Sequence, residues 1–140
     1  MKLLFLPLFY AILYSNVASA GFSYELCKFK AEETKLLLVV PRKIDDITTL
    51  TDITCKESIP ETLQYTYTVD LYITEVNRPE AIEFLNKNVF PKLTTNFCST
   101  AIDEVKLFDT EFIYKDKGGA DFVIHRVTLK DCSKYLNFSK

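Results

Sequence analysis

The chain has 140 residues, 48% of them hydrophobic and 26% charged, with a formal net charge of −2. That length holds one domain with a modest core and is too short for two. A slightly acidic chain with no dense Lys/Arg patch argues against a phosphate backbone as the main partner, so no nucleic acid is expected.

The first stretch reads as a leader. Lys2 supplies a short positive start, "LLFLPLFYAILY" (Leu3 to Tyr14) is an apolar run broken by Pro7, and "SNVASA" puts Ala18 and Ala20 in the A-x-A positions before Gly21. This is the layout of a secretory signal peptide, residues 1–20, cleaved after Ala20. The run is shorter than the roughly eighteen apolar residues a membrane anchor needs. Cys27 follows "SYEL" and not a small-residue lipobox. The expected organisation is a signal peptide over 1–20 and a single α+β domain over 21–140, periplasmic or extracellular, with no stable membrane insertion. Cys27, Cys55, Cys98 and Cys132 all lie in that domain. An even number in an exported chain implies disulfides, and four cysteines allow three pairings. No C-x-x-C occurs, which removes the sequence support for a redox pair or a zinc ribbon.

After the leader, "ELCKFKAEETKLLLVV" reads as a helix with Leu26, Phe29, Glu33 and Leu37 in line, ending before Pro41, the alternative being a fray into a strand at "LLLVV". Lys28, Lys30, Lys35, Arg42 and Lys43 are interleaved with Glu32, Glu33, Asp45 and Asp46, the pattern of a solvated face. "PRKIDDITTL" is a polar connection into a short strand at "TLTDITC". "LQYTYTVDLYI" alternates strictly, with Tyr65, Tyr67, Val69, Leu71 and Ile73 on one face, and reads as a half-buried antiparallel strand. The period then changes: Ile82, Leu85, Val89, Leu93 and Phe97 mark a helix with Pro79 at its start and a kink or restart at Pro91. "STAIDEVKLF" is a second short helix with Ser99 as its N-cap. Phe108, Phe112 and Tyr114, then "DKGG", then Val123, His125, Val127 and Leu129 on one face make a hairpin with its glycines at the turn. The expected fold is α+β, an antiparallel sheet of about four strands with helices on one face.

Residues able to carry chemistry are few. His125 is the only histidine, and its place mid-strand among valines suits a wall residue better than a general base, so no catalytic residue is assigned. Asp45–Asp46 and the acids of "DKGGAD" lack EF-hand spacing, and neither a metal nor a cofactor is expected. No P-loop and no G-x-S-x-G elbow occurs. "NFS" at Asn137 is a glycosylation sequon only in a eukaryotic source. Tyr65, Tyr67, Tyr72 and Tyr114, with Phe112, decorate neighbouring strands. They suit either cross-strand packing or an exposed aromatic surface that recognises a protein.

The layout from about residue 30 to residue 132 resembles a group of small exported bacterial proteins of uncharacterised function. The features that carry this are Pro41, Asp45, Thr48 and Leu50, then Leu63, Tyr65 and Tyr67, a helix with Pro91 leading to Cys98, and a Y-x-D-x-x-G hairpin (Tyr114, Asp116, Gly118) closing on Cys132. Cys27 and Cys55 depart from that pattern as extras, and Asp109 stands where a glycine often precedes the first hairpin strand. The resemblance implies a periplasmic or secreted α+β domain and carries no agreed activity. It also implies a Cys98–Cys132 bond, which would clamp the hairpin to the helix end and leave Cys27 to pair with Cys55. A cystatin-like inhibitor would share the idea of a helix on a sheet, but the Q-x-V-x-G hairpin is missing from "QYTYT".

Two functions stay in view. The first is a non-enzymatic exported module that binds another exported or envelope protein as an accessory, inhibitor or immunity-type factor. The second is a small hydrolase or ligand-binding protein using acidic residues and His125. A concave pocket holding His125 beside a carboxylate would favour the second, and an exposed aromatic or edge-strand surface without a pocket the first.

Overall fold

The computed structural model describes residues 19–136. The expected leader falls outside this range except for Ser19 and Ala20, and so does the sequon at Asn137. The elements are α1 (Ser19–Leu38), β1 (Arg42–Lys43), β2 (Thr48–Lys56), β3 (Thr62–Val69), α2 (Arg78–Asn88), α3 (Phe90–Thr100), α4 (Ile102–Leu107), β4 (Asp109–Lys115), β5 (Asp121–Val127) and α5 (Leu129–Leu136).

The strands form one sheet in sequence order, β1-β2-β3-β4-β5. Neighbours are antiparallel except β3 and β4, which run parallel from Thr62↔Asp109 to Thr68↔Lys115. The sheet is therefore mixed and five-stranded, which corrects the expectation of an antiparallel sheet of about four. The reason is the connection: α2, α3 and α4 form a crossover that returns the chain to the starting end of β3, as a parallel pair requires. The added strand is β1, two exposed residues that pair with Thr49 and Leu50.

Alternation along β3 buries Leu63, Tyr65, Tyr67 and Val69 and leaves Gln64, Thr66 and Thr68 half-buried. The buried set joins Leu50 and Ile53 of β2, Phe112 and Tyr114 of β4 and Val127 of β5 in one core. The helices add Cys27, Ala31, Leu85, Phe90, Phe97, Cys98, Val105 and Cys132. The other sheet face carries a polar ladder. Gln64 Nε2 donates to Glu111 Oε1 at 3.0 Å, and Arg126 donates to Glu111 at 2.9 Å and to Asp109 at 2.7 Å.

The stripe expected to bury α1 turns outward. Phe29 and Leu37 are exposed, while Cys27 and Ala31 face the sheet and Leu38 is partly buried. Ala31 is small enough for close approach to β2, and Cys27 is bonded to Cys55 of that strand with the Cα atoms 5.7 Å apart. A second bond joins Cys98 of α3 to Cys132 of α5, Cα–Cα 5.3 Å, and no cysteine among the described residues is free.

Pro91 marks a restart: α2 ends at Asn88 and α3 begins at Phe90, with the proline in its first turn. Ser99 is not an N-cap. It lies in the last turn of α3, where its hydroxyl donates to Thr95 O at 2.8 Å, and Ala101 takes the cap position of α4. Leu129, expected on the last strand, opens α5. Asp131 Oδ2 accepts from the Thr128 backbone N–H at 2.8 Å and from its hydroxyl at 3.1 Å, a capping arrangement legible in "TLKD".

Helix α1 ends in a Schellman motif: Val40 N–H donates to Lys35 O at 3.0 Å and Val39 N–H to Leu36 O at 3.3 Å. Val39 holds the left-handed position, φ 56°, where a β-branched side chain is strained and glycine is normal. The side chain is exposed, so its loss removes no core contact. Val39→Gly is expected to stabilise the fold by about 0.5–1 kcal/mol, the relieved strain exceeding the added chain entropy. Urea unfolding monitored by circular dichroism checks this, and a destabilised variant would refute the strain.

Candidate functional site

The proposed tyrosine surface does not exist as such. Tyr65, Tyr67 and Tyr114 are 6%, 7% and 4% exposed, whereas Tyr72 is 63% exposed. The face of β3 that carries Tyr65 and Tyr67 is the core face. Tyr65 packs on Phe112 at 5.2 Å and on Phe97 edge-to-face at 5.9 Å, and Tyr67 stacks on Tyr114 at 4.9 Å. Burial pushes the phenols of Tyr65 and Tyr67 well above the usual range. Tyr114 is pushed up to about 12, by burial first and then by the charge of Asp45. Tyr72 stands apart on the loop after β3, with Lys117 Nζ 5.8 Å above its ring.

His125 is half-buried on β5. Its ring stacks on Phe90 at 4.3 Å with 6° between planes, and Nε2 lies 2.7 Å from Thr94 Oγ1. Burial lowers its pKa, with Asp131 acting in the opposite sense. A shallow cavity of about 300 Å³ brings together Thr94, His125, Arg126, Lys130, Asp131 and Ser133. The Asp131 carboxylate is already engaged by Thr128. Among the described residues no group of three or more His, Cys, Asp or Glu converges as a metal site.

An apolar concavity lies elsewhere. It is an apolar groove of about 380 Å³ at the end of the sheet where β3 finishes. One wall is the β1–β2 turn, with Ile44 and Ile47. The other is α2, with Ala81, Phe84 and Leu85, and Leu71 and Ile73 of the β3–α2 loop complete the rim. Tyr114 and Phe122 line it from the hairpin. Ile44, Ile47, Leu71 and Phe84 are each at least 44% exposed, so apolar surface is presented to solvent on every side of the groove. Leu71 and Ile73 were expected to continue the strand. They leave it because β3 ends at Val69, after which Asp70 N–H donates to Ile47 O at 2.7 Å.

Two aspartates hold these walls. Asp45 Oδ1 accepts from the N–H groups of Ile47 and Thr48 at 2.9 and 2.8 Å, which shapes the β1–β2 turn. Asp116 accepts from Ile73 N–H at 3.2 Å and from Gly118 and Ala120 N–H at 2.9 and 3.0 Å, so one carboxylate ties the groove rim to the hairpin turn. Gly119 in that turn has φ +89°, a position that requires glycine. Both aspartates thus act as turn formers, and Asp121 of the second acidic stretch is paired with Lys115 at 2.7 Å.

Backbone donation from Ala120, then Ile73 and Gly118, holds the Asp116 carboxyl below the usual aspartate range. A depressed folded value means its stabilisation is present above the unfolded value, near 3.9, and is lost as pH falls through the folded one. The melting temperature of the wild type is therefore expected to fall more than that of Asp116→Asn on acidification below about pH 4. Parallel curves for the two proteins would show that Asp116 makes no such contribution.

The fold and its braces define a class: a small α+β domain with a mixed five-stranded sheet and two disulfides, the chemistry of an exported protein. No helix among the described residues is long and apolar enough to cross a membrane. Solved structures that share the fold include a Pseudomonas aeruginosa protein assigned as secreted, 14% identical, TM-score 0.64, over 80% of this chain and 94% of that one. Two others are pilotins of type II secretion systems. EpsS of Vibrio vulnificus is 8% identical, TM-score 0.51, over 81% of this chain and 97% of its own. AspS of Vibrio cholerae is 12% identical, TM-score 0.54, over 84% and 99%. At these identities the likeness is one of fold. No protein-family model matches the chain, and no curated protein matches it in sequence.

Proposed function

We propose that this protein is a non-enzymatic exported module that docks an apolar segment of another exported or envelope protein in the groove between α2 and the β1–β2 turn. The observation that carries this is the groove itself, where Phe84, Leu71, Ile44 and Ile47 expose apolar surface around a cavity of about 380 Å³. The shared fold with two secretion-system pilotins supports an accessory role in the envelope, as does the layout shared with small exported bacterial proteins. Burial of Tyr65 and Tyr67 in the core speaks against the strand tyrosines as the docking surface and leaves the groove as the better candidate.

A photo-crosslinking residue at position 84, in protein recovered from the exported fraction, is expected to trap a partner that the same residue at Ile124, exposed on another part of the sheet, does not trap. Phe84→Glu should reduce recovery of that partner at least about tenfold while leaving the fold intact, because an anchor is replaced by a charge. Equal trapping at positions 84 and 124 would refute the location. The second reading, a small hydrolase or ligand-binding protein, has the short Thr94–His125 contact in its favour. Its third member is missing, because the carboxylate of the cavity caps a helix. An activity lost in both Thr94→Ala and His125→Gln variants that still fold would restore it.

A further inference from the structure

We propose that the segment bound in the groove carries a lysine or arginine side chain that reaches between Asp45 and Glu80. The inference rests on the docking function above and specifies the chemistry of the partner. Asp45 stands on the β1–β2 turn and Glu80 on α2, so each of the two facing walls carries one carboxylate, and no lysine or arginine lines the groove. Asp45 and Glu80 are the acids on the groove lining among the described residues, and several acids around it are engaged elsewhere. Asp70 pairs with Lys117 at 3.4 Å, Glu83 with Lys87 at 2.9 Å and Asp121 with Lys115 at 2.7 Å, while Asp116 is occupied by backbone N–H groups. Neither Asp45 nor Glu80 has an ion pair among the described residues.

The geometry around Asp45 makes its charge a fixed feature and not a mobile one. Its Oδ1 is held by two backbone N–H groups, which leaves Oδ2 without a hydrogen bond among the described residues. Its field is felt at the Tyr114 phenol on the groove lining, one of the causes that raise that group. Two like charges flanking an apolar cleft repel each other, and an apolar occupant would desolvate both without compensation. An anionic occupant would add to the repulsion. A single cation flanked by apolar side chains offsets both carboxylates while Phe84, Leu71 and Ile47 take up the apolar contacts. The carboxylates thus select among apolar segments that the groove alone would not distinguish.

Three probes with the same short apolar tail separate the outcomes: octylammonium, octyl glucoside and octanoate, each below its micelle concentration, titrated into the disulfide-intact protein and followed by amide chemical shifts. Octylammonium, an ammonium like that of lysine on an apolar chain, is expected to shift the amides of Leu71, Ile73, Phe84 and Leu85 with a Kd at least about tenfold below that of octyl glucoside. Octanoate should bind weakest. In the Asp45→Asn, Glu80→Gln double variant the preference should shrink to within about twofold. Equal binding of octylammonium and octyl glucoside at these amides would overturn the charge selection and leave the docking groove standing. Failure of all three probes to shift these amides would overturn both readings, and a preference retained in the double variant would overturn the assignment to Asp45 and Glu80.

Discussion

Exchanging Cys98 and Cys132 together for alanine is expected to lower the unfolding free energy by about 4 kcal/mol, the loop-closure entropy that a 34-residue cross-link withholds from the unfolded chain. The bond joins the end of α3 to α5, and both cysteines are buried, so removing the sulfurs also leaves unfilled volume in the core. For a domain whose total stability is roughly 5–15 kcal/mol, a loss of that size brings the folded state near its limit. Urea titration at 25 °C, with Cys27–Cys55 retained, measures it. A change below about 1 kcal/mol would mean that the unfolded chain is compact around this loop without the bond. The Cys27–Cys55 loop spans 28 residues, and its removal should cost only slightly less by the same logarithmic dependence.

Phe112→Ala is expected to cost about 3–5 kcal/mol, the range for truncating a fully buried aromatic. Phe112 is 2% exposed and lies at the meeting point of the sheet and α3, with ring centroids of Tyr65 at 5.2 Å, Phe97 at 5.4 Å, Tyr67 at 6.3 Å and His125 at 6.3 Å. No neighbour can refill the space without leaving its own contacts, because β3 and β5 flank the position on both sides through Tyr65↔Phe112 and Phe112↔His125 pairing. Phe112→Leu keeps most of the volume and should cost less than half as much. The pair of variants separates cavity formation from loss of ring-on-ring geometry, and a cost below about 1.5 kcal/mol for the alanine variant would show that the site collapses.

Much of the fold was legible where local pattern and tertiary role agree. The Tyr65–Tyr67–Val69 alternation marked β3, the period change marked α2 and α3, and the paired glycines marked the β4–β5 turn. Orientation was not legible, because the crossover from Val69 to Asp109 reads the same whichever way the next strand runs. The outward turn of Phe29 and Leu37 escaped for a similar reason: apolarity alone points them inward, whereas the cross-link at Cys27 and the small Ala31 decide which face of α1 meets β2. The groove was hidden most completely. Ile44 and Ile47 lie in a stretch that reads as a polar connection, Leu71 and Ile73 in one that reads as strand, and Phe84 lies off the expected helix stripe. The hydrogen bonds of Asp45 and Asp116, together with those from Asp70 N–H to Ile47 O and from Lys117 N–H to Leu71 O, bring the β1–β2 turn and the β3–α2 loop together.

The two covalent loops, 27–55 and 98–132, follow one another along the chain without overlapping. Under tension each behaves as a closed ring of fixed length, so between the bridges only the stretch from Cys55 to Cys98 can be drawn out, to about 150 Å at full extension. That stretch contains β3 and α2, hence one wall of the groove and part of its rim. Force applied across the two ends of the chain would therefore open the proposed docking groove first, while the two ringed portions keep their length. The arrangement acts as a mechanical fuse, in which the proposed groove yields before the covalently closed parts of the molecule do.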